Sequence, residues 1–550
     1  MSPRLKKLPI GIQTFREIIA EGYTYVDKTA HALTLASEGK YYFLSRPRRF
    51  GKSLFLDTLK ELFEGSEELF RGLAIHGRWD WSRRHPVIRL DFAGGVVQTR
   101  AELDQRIRWL LRENAERLAL SCDWAHNDIP GCFSDLMRAA HEATGQRVVV
   151  LVDEYDKPIL DNIEHLERAA EVREGLKNLY STLKGQDAHI QLVFMTGVTK
   201  FSKVSLFSGL NQLNDLTLDG RFATVCGYTQ ADLETIFGAH LAGVDWARLK
   251  RWYNGYGFLG EPVYNPFDIL LFIDKGQRYR NYWFETGSPS FLIKLLRQRR
   301  FFLPDLDRIE ASEEILDSFD IETIDPVTLL FQAGYLTIAA SRWQRSRLLY
   351  RLRLPNQEVK MALADHLIDG YLGTLPSSRA PRQDALFGCL SQGDLPGLVA
   401  AIHRLFAGIP WRNFTNNDLP DAEGYYASVL YAFFVSLNAE IIPEDIGNQG
   451  QVDLTLKLEG FIYVIEIKLQ RGQSAARPSS PPDPQTDDDA SPLRLQSGAN
   501  PALDQIRARD YSAKYRGLPN QGLFEVGLVF DRQARNLVQA DWRVVECSGP

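Results

Sequence analysis

The sequence has no apolar run long enough to cross a membrane: its longest strongly apolar stretch, around residues 429–437, falls well short of the roughly 20 residues a spanning helix needs. The stretch MSPRLKKLPIG at the amino end carries no apolar segment of the secretory kind, so a cytosolic location is expected and a membrane partner is not. Cysteine is scarce. Cys122, Cys132, Cys226, Cys389 and Cys547 are scattered and odd in number, which argues against a disulfide framework or a zinc cage and reads as free thiols in a reducing compartment. The 10 histidines show no metal-ligand spacing, and His31, His76 and His85 read as surface or satisfied core residues. No charge of one sign dominates either. With 64 Lys and Arg against 70 Asp and Glu, the net charge of −6 offers no general attraction to nucleic acid, so such contacts must come from local basic patches. What remains is an ordinary globular composition spread over 550 residues, too many for one core, and about three compact units are expected.

The most informative segment lies near the carboxyl end. QVDLTLKL (451–458) and FIYVIEIKL (461–469) are two alternating runs joined by Glu459 and Gly460, a two-residue link typical of tight hairpins. That turn would place Asp453 opposite Glu466, and because side chains alternate along a strand, Lys468 points the same way. Two carboxylates directly opposite one another are unfavourable in a bare sheet, but they make sense around a divalent cation, and hard oxygen ligands suggest Mg²⁺ or Mn²⁺. The alternative is a half-solvated hairpin whose polar face happens to carry these residues. Upstream, residues 423–437 predict a helix with apolar side chains at spacings of three and four, and Glu423 begins that stripe, where a carboxylate needs a metal or a lysine as partner. Downstream, residues 502–516 predict a helix with Gln505, Arg509, Ser512 and Arg516 on one face, suited to a phosphate backbone.

Glu423, then Asp453, Glu466 and Lys468, then the helix of Gln505, resemble the PD-(D/E)XK nuclease superfamily. The resemblance implies a mixed sheet flanked by helices, a restriction-endonuclease-like α/β domain. It also implies Asp453 and Glu466 as metal ligands, Lys468 as the group on the side of the attacking water, Glu423 as an auxiliary acid and Gln505 as a positioning residue. One departure is the insert 471–500, rich in Pro, Ser and Asp, which is expected to be disordered and to loop out of the core.

A second informative segment lies near the amino end. KYYFLS (40–45) predicts a buried strand, RPRRFG a loop, and KSLFLDTLKELFE (52–64) a helix. Strand, loop, GKS and helix is the layout of a phosphate-binding loop: Gly51 and the backbone cradle phosphates, Lys52 neutralises them, Ser53 helps bind Mg²⁺, and Arg49 is counted with them. Arg46 stands where the standard pattern has glycine, which leaves the speed of hydrolysis open. Arg46, Arg48 and Arg49 crowd this loop and could reach the nucleotide of a second copy in a homo-oligomer. Further on, QRVVVLVDEYDKPI (146–159) predicts an apolar strand ending in Asp153, which would hold the Mg²⁺ shell, and Glu154, which could orient or deprotonate the attacking water. The strand 189–198 ends at Thr196, a candidate γ-phosphate sensor, with Thr199 close behind.

Together PIGIQTFREII, YTYVDKT, FLSRPRRFGKSLFLDTL, VVVLVDEYDKPI, FMTGVTKFSKVSLFSGLNQLNDLTLD and WYNGYGF resemble the AAA-ATPase-like family, mostly prokaryotic proteins that often end in the nuclease domain named above, and Arg46 belongs to that family's own pattern. LLFQAGYLTIA and YRLRLPNQEVKMAL are also family-like.

The expected fold class is α/β. It comprises a P-loop NTPase-type parallel sheet over 1–235, a helical and winged-helix-like middle over 236–375, and the nuclease-like domain over 376–550. WYNGYGF (252–258) reads either as a stacking platform or as a packed loop. The expected function is an ATPase, with ATP and Mg²⁺ as cofactors, coupled to a metal-dependent nuclease acting on DNA, ahead of RNA. The alternative is a nucleotide-regulated switch or adaptor that binds nucleic acid or protein without cutting.

Overall fold

The structure is a computed structural model that describes residues 5–121, 128–201, 206, 210, 212–283, 290–299, 301–316, 319–372, 376–409, 423–470 and 498–547. Of the insert expected over 471–500, residues 471–497 lie outside the described residues. The chain forms two compact units, Met1–Ser288 with Ile309–Val359, and Pro289–Arg308 with Lys360–Pro550. The stretch 236–375, read from sequence as a separate middle region, is divided between them.

The first unit is built on five parallel strands, β1 (Tyr41–Ser45), β2 (Val87–Asp91), β3 (Val148–Asp153), β4 (Ile190–Gly197) and the short β5 (Asn214–Asp215), in the order β2-β3-β4-β1-β5. The four longer strands are those the apolar runs predicted. Every residue of β1 and β3 is buried, as a parallel sheet covered on both faces requires. β4 separates β1 from β3, so the loop after β1 and the acids after β3 open at the same edge of the sheet. The same unit holds a small antiparallel sheet, β6 (Glu310–Ser312), β7 (Thr337–Gln344) and β8 (Arg347–Arg353), in the order β6-β8-β7, and the helix Pro326–Gln332 precedes the β7–β8 hairpin as the sequence suggested. WYNGYGF is packed, with Trp252 and Tyr253 ending the helix Trp246–Tyr253 and the rest forming a loop. Tyr253 and Tyr256 are buried, Tyr256 meets Phe50 edge-on with ring centroids 4.8 Å apart, and Gly255, at φ +117°, lies so close to the Pro355 carbonyl that no Cβ would fit.

The second unit contains a mixed five-stranded sheet of β9 (Glu440–Gly447), β10 (Gly450–Leu458), β11 (Phe461–Gln470), β12 (Gly522–Asp531) and β13 (Asn536–Cys547), in sequential order across the sheet, with β11 and β12 parallel and the other pairs antiparallel. The β10–β11 link is the expected tight turn: Glu459 at φ 47° and Gly460 at φ 85° are both left-handed, as a two-residue hairpin loop demands. The helix Glu423–Ser436 corrects the expected stripe. Tyr425 to Val435 are all buried, so it is apolar all round and not amphipathic. The helix expected over 502–516 is also corrected: it runs only over Pro501–Ala508, because Asp510 turns left-handed at φ 47° and the Tyr511 N–H folds back onto the Ile506 carbonyl. No described helix is long and apolar enough to cross a membrane.

Candidate functional site

In the second unit the turn fixes the register. Leu454 pairs with Ile465, and one step further along the ladder Asp453 comes opposite Glu466. The Asp453 N–H donates to the Glu466 carboxylate at 3.3 Å, and the Ile467 N–H donates to the Asp453 carboxylate at 2.7 Å, so each acid is anchored by the other's strand. Lys468 Nζ lies 2.8 Å from Glu466 Oε1 and 3.5 Å from Glu423 Oε1, while the other oxygen of Glu423 accepts the Leu469 N–H at 3.0 Å. Gln505 Nε2 also donates to Glu466. It reaches down because the helix Pro501–Ala508 lies directly on Gly527 of β12, where any Cβ would strike the Leu503 backbone. Asn500 caps that helix through the N–H groups of Ala502 and Leu503 and ties it to the Gly527 carbonyl. All five residues singled out by sequence therefore converge.

The electrostatics follow from this crowding. Burial, reinforced by the neighbouring Glu466 charge, pushes the Asp453 carboxyl up to about 7. Glu466 is likewise raised by burial, with the Lys468 hydrogen bond opposing the shift. Lys468 is itself raised, because the bond to Glu466 and the surrounding acids outweigh its desolvation. No group of three or more His, Cys, Asp or Glu arranged to hold a metal occurs among the described residues. The donor set is two carboxylates, which is what Mg²⁺ needs when waters and a substrate phosphate complete its shell.

The other residues expected on the helical face of Gln505 do not share it. Arg509 donates to the Gln449 carbonyl, Ser512 is buried with its hydroxyl on Glu525, and Arg516 pairs with Asp510. The early end of the helix separates these side chains from Gln505.

In the first unit the loop Arg46–Gly51 leads from β1 into the helix Lys52–Phe63, with Arg49 at φ 68° and Gly51 at φ 90° making the turn. Arg46 faces the interior. It is 1% exposed, donates to the carbonyls of Ser45, Thr217 and Phe222, and sits 3.8 Å over the Phe258 ring; burial lowers it to about 10. Of the three loop arginines expected to reach outward, only Arg48 and Arg49 are exposed. Lys52 is buried, its Nζ donating to the Arg46 and Pro47 carbonyls at 2.8 and 3.0 Å, and burial lowers its pKa. Loop and lysine thus brace each other.

A cleft of about 460 Å³ opens over this loop, lined by Arg49, Gly51, Lys52, Ser53 and, across it, Glu154 and Asp156. Glu154 is held at φ 48°, a strained position for a non-glycine residue, and burial raises its carboxyl while Lys52 opposes. Asp153 is buried behind it and accepts the Thr196 hydroxyl at 2.8 Å. Thr196, expected as a phosphate sensor, is therefore fully buried and spends its hydroxyl on Asp153. Thr199 likewise spends its hydroxyl and N–H on Asp156, both at 2.6 Å. Sequence reasoning missed Asp156, although it stands in the same DEYD run, and also Arg89 on β2, whose guanidinium bonds Asp57 and Asp91 at 3.1 Å and lies 3.9 Å from Asp153.

Comparison with known proteins finds a family match over each of the two regions. Residues 9–207 match the AAA-ATPase-like family, described as "Predicted AAA-ATPase", and residues 421–540 match the PD-(D/E)XK nuclease superfamily. A protein of Azotobacter chroococcum mcd 1, named only as an uncharacterized protein in the vnfD 5' region, is 46% identical over 534 residues, 97% of this chain and 98% of its own length.

Proposed function

This chain belongs to the AAA-ATPase-like family and carries a PD-(D/E)XK nuclease superfamily domain towards its carboxyl end, and from that premise we propose that it binds and hydrolyses ATP and that this activity is coupled to metal-dependent cleavage of DNA or RNA. The observation that carries the nuclease reading is the meeting of Asp453, Glu466, Lys468 and Gln505 on one sheet face. Asp453 and Glu466 would hold Mg²⁺ or Mn²⁺, which supplies Lewis acidity at a phosphate oxygen and a lowered pKa for the attacking water. Lys468, with its raised pKa, stays an ammonium near neutral pH. Its part is to hold Glu466 and to place positive charge beside the incoming water and phosphate, not to take a proton. Gln505 fixes the Glu466 carboxylate, and Glu423 braces Lys468.

In the ATPase unit, Lys52 exchanges its two loop carbonyls for phosphate oxygens, Ser53 and Asp153 serve a Mg²⁺ shell, and Glu154 is the candidate base. Burial raises its carboxyl, which makes it a stronger proton acceptor than an unperturbed glutamate, and Lys52 opposes the shift. Thr196 contributes through Asp153. The test uses the full chain with labelled duplex DNA, single-stranded DNA and RNA, with Mg²⁺ or Mn²⁺, and with no nucleotide, ATP or a non-hydrolysable analogue. Cleavage that needs the metal and responds to nucleotide is expected. Absence of cleavage under every condition overturns the nuclease reading, and cleavage indifferent to nucleotide overturns the coupling.

A further inference from the structure

With Arg509 and Arg516 tied to partners within the chain, the basic face expected beside Gln505 is not there to meet a phosphate backbone. A different element carries unspent charge. Residues 337–353, which span the β7–β8 hairpin, contain five arginines, Arg342, Arg345, Arg347, Arg351 and Arg353, and no acid, in a chain whose net charge is −6. β6 pairs with β8 only as far as Ser312 and Leu349, so beyond Leu349 the sheet narrows to a two-stranded ribbon. That ribbon stands in solvent: residues 340–347 are all exposed, and Trp343 is 74% exposed. Register sorts its side chains. Gln344 pairs with Arg347 and Arg342 with Leu349, which puts Arg342 and Arg347 on one face, while Trp343, paired with Leu348, is on the other. Arg345 and Ser346 make the turn at φ 45° and 65°, both left-handed, where a two-residue loop ordinarily takes Asn and Gly. Arg342 pairs with Glu310 of β6 at 2.6 Å, whereas Arg345 and Arg347 make no ion pair or hydrogen bond among the described residues. Glu313 and Glu314, exposed in the short helix after β6, pair with neither.

We infer that the end of this ribbon is a grip for duplex DNA, entering the major groove tip-first with Arg345 and Arg347 on phosphates and Trp343 against the deoxyribose of the facing wall. The inference rests on the nucleic-acid reading above in its choice of partner, and it is independent of cleavage. Charge selects a polyanion: two arginines at the tip are unpaired, a third is held by Glu310, and Arg351 and Arg353 are exposed further back on β8. A guanidinium is also the side chain that bonds phosphate through two parallel donors. Shape selects the groove. A sheet with its side chains is about 10 Å thick and the B-form major groove about 12 Å wide, whereas the minor groove, about 6 Å wide, and the narrow major groove of A-form RNA exclude it. Entered end-on, a groove offers backbone walls to both faces of a ribbon, which suits arginines on one face and a bare indole on the other. Covering Trp343 removes apolar surface that the free protein leaves in water. A bilayer suits this tip less well, because Trp343 is its one exposed aromatic and Leu348 is half-buried.

The experiment is fluorescence-anisotropy titration of labelled duplex DNA with the full chain in EDTA, so that binding is read apart from cleavage, over a series of salt concentrations. Duplex RNA and phosphatidylserine vesicles are the comparison probes. The double variant Arg345→Ala/Arg347→Ala is expected to weaken duplex DNA about tenfold and to lower the slope of log affinity against log salt by about 2. Arg345→Lys/Arg347→Lys should keep that slope, because the charges remain. Trp343→Ala should weaken binding about fivefold with the slope unchanged, since it removes apolar contact and no charge. All three side chains are exposed, so the thermal midpoints of these variants should match that of the unaltered chain. If the double alanine variant and Trp343→Ala both keep duplex DNA affinity within twofold, the grip is overturned and the nucleic-acid reading stands. Duplex RNA bound as tightly as DNA overturns the major-groove seat. Variants that lose vesicle binding and keep DNA binding make the ribbon a membrane contact, which overturns the grip as well. An unaltered chain that binds no nucleic acid overturns the nucleic-acid reading, and this inference falls with it.

Discussion

The two candidate sites treat charge in opposite ways. In the phosphate-binding unit the ligand-free charges are satisfied internally: Lys52 bonds two carbonyls of its own loop, Asp153 holds Thr196, and Asp156 holds Thr199. In the nuclease-like unit two acids crowd one sheet face with a single ammonium, Lys468, against them, and Asp453 rises to about 7 through burial first and the neighbouring Glu466 charge second. A ligand of the first site must therefore displace existing hydrogen bonds, whereas a cation at the second relieves a repulsion already there. That predicts weak pH dependence for phosphate capture by Lys52 and marked pH dependence for metal capture near neutrality.

The largest effect should follow from removing a carboxylate. Asp453→Ala should lower cleavage by about 10³-fold or more, the loss of several kcal/mol of transition-state stabilisation, and leave ATP turnover of the same preparation unchanged. Parallel loss of both activities would show that the two sites are not the separate devices contrasted here. Next comes Lys52→Ala, which should weaken nucleotide binding about 10- to 100-fold through the lost charge-assisted bonds. Because Lys52 is buried and braces the loop, the variant should also lose about 1–3 kcal/mol of stability, measured by denaturant unfolding; an unchanged midpoint would mean the lysine is free in solution.

The pH prediction has a fixed sign. Asp453 is an acid raised above its unfolded value, so the native state holds the proton more tightly, and its contribution to stability falls as pH rises from about 4 towards 7. Metal affinity runs the other way, because only the carboxylate ligates. Mn²⁺ binding should strengthen up to about tenfold per pH unit below 7 and level off above it. Asp453→Asn should remove both trends, and a flat profile in the unaltered chain would contradict the crowding. The smallest change is expected from Gln505→Ala, which leaves both carboxylates in place but unfixes Glu466: metal affinity or cleavage should drop about tenfold, seen as a raised metal requirement in the cleavage assay.

How much of this was legible beforehand depends on distance along the chain. The hairpin was fully readable, since a two-residue turn at Glu459 and Gly460 sets the register and the register sets which side chains meet. The four longer parallel strands, the placement of Gly51–Ser53 in the turn after β1 and that of Asp153 and Glu154 at the end of β3 were readable for the same local reason. Arg46 was not: its partners, the carbonyls of Thr217 and Phe222 and the ring of Phe258, are far away in sequence. Thr196 looked like a sensor because it ends a strand, yet Asp153 of the adjacent strand takes its hydroxyl. The fan of Arg509, Ser512 and Arg516 failed because helical periodicity carries no mark of the left-handed Asp510 that ends the helix.

By itself, then, the sequence determined the local geometry: strands, turns and the side-chain alternation that brings Asp453 and Glu466 together, because period and turn chemistry act over a few residues. Only the tertiary structure decided which polar groups are already satisfied and which still lack a partner. That is settled by burial and by hydrogen bonds between distant segments, as with the buried guanidinium of Arg46 and the Asp153–Thr196 bond.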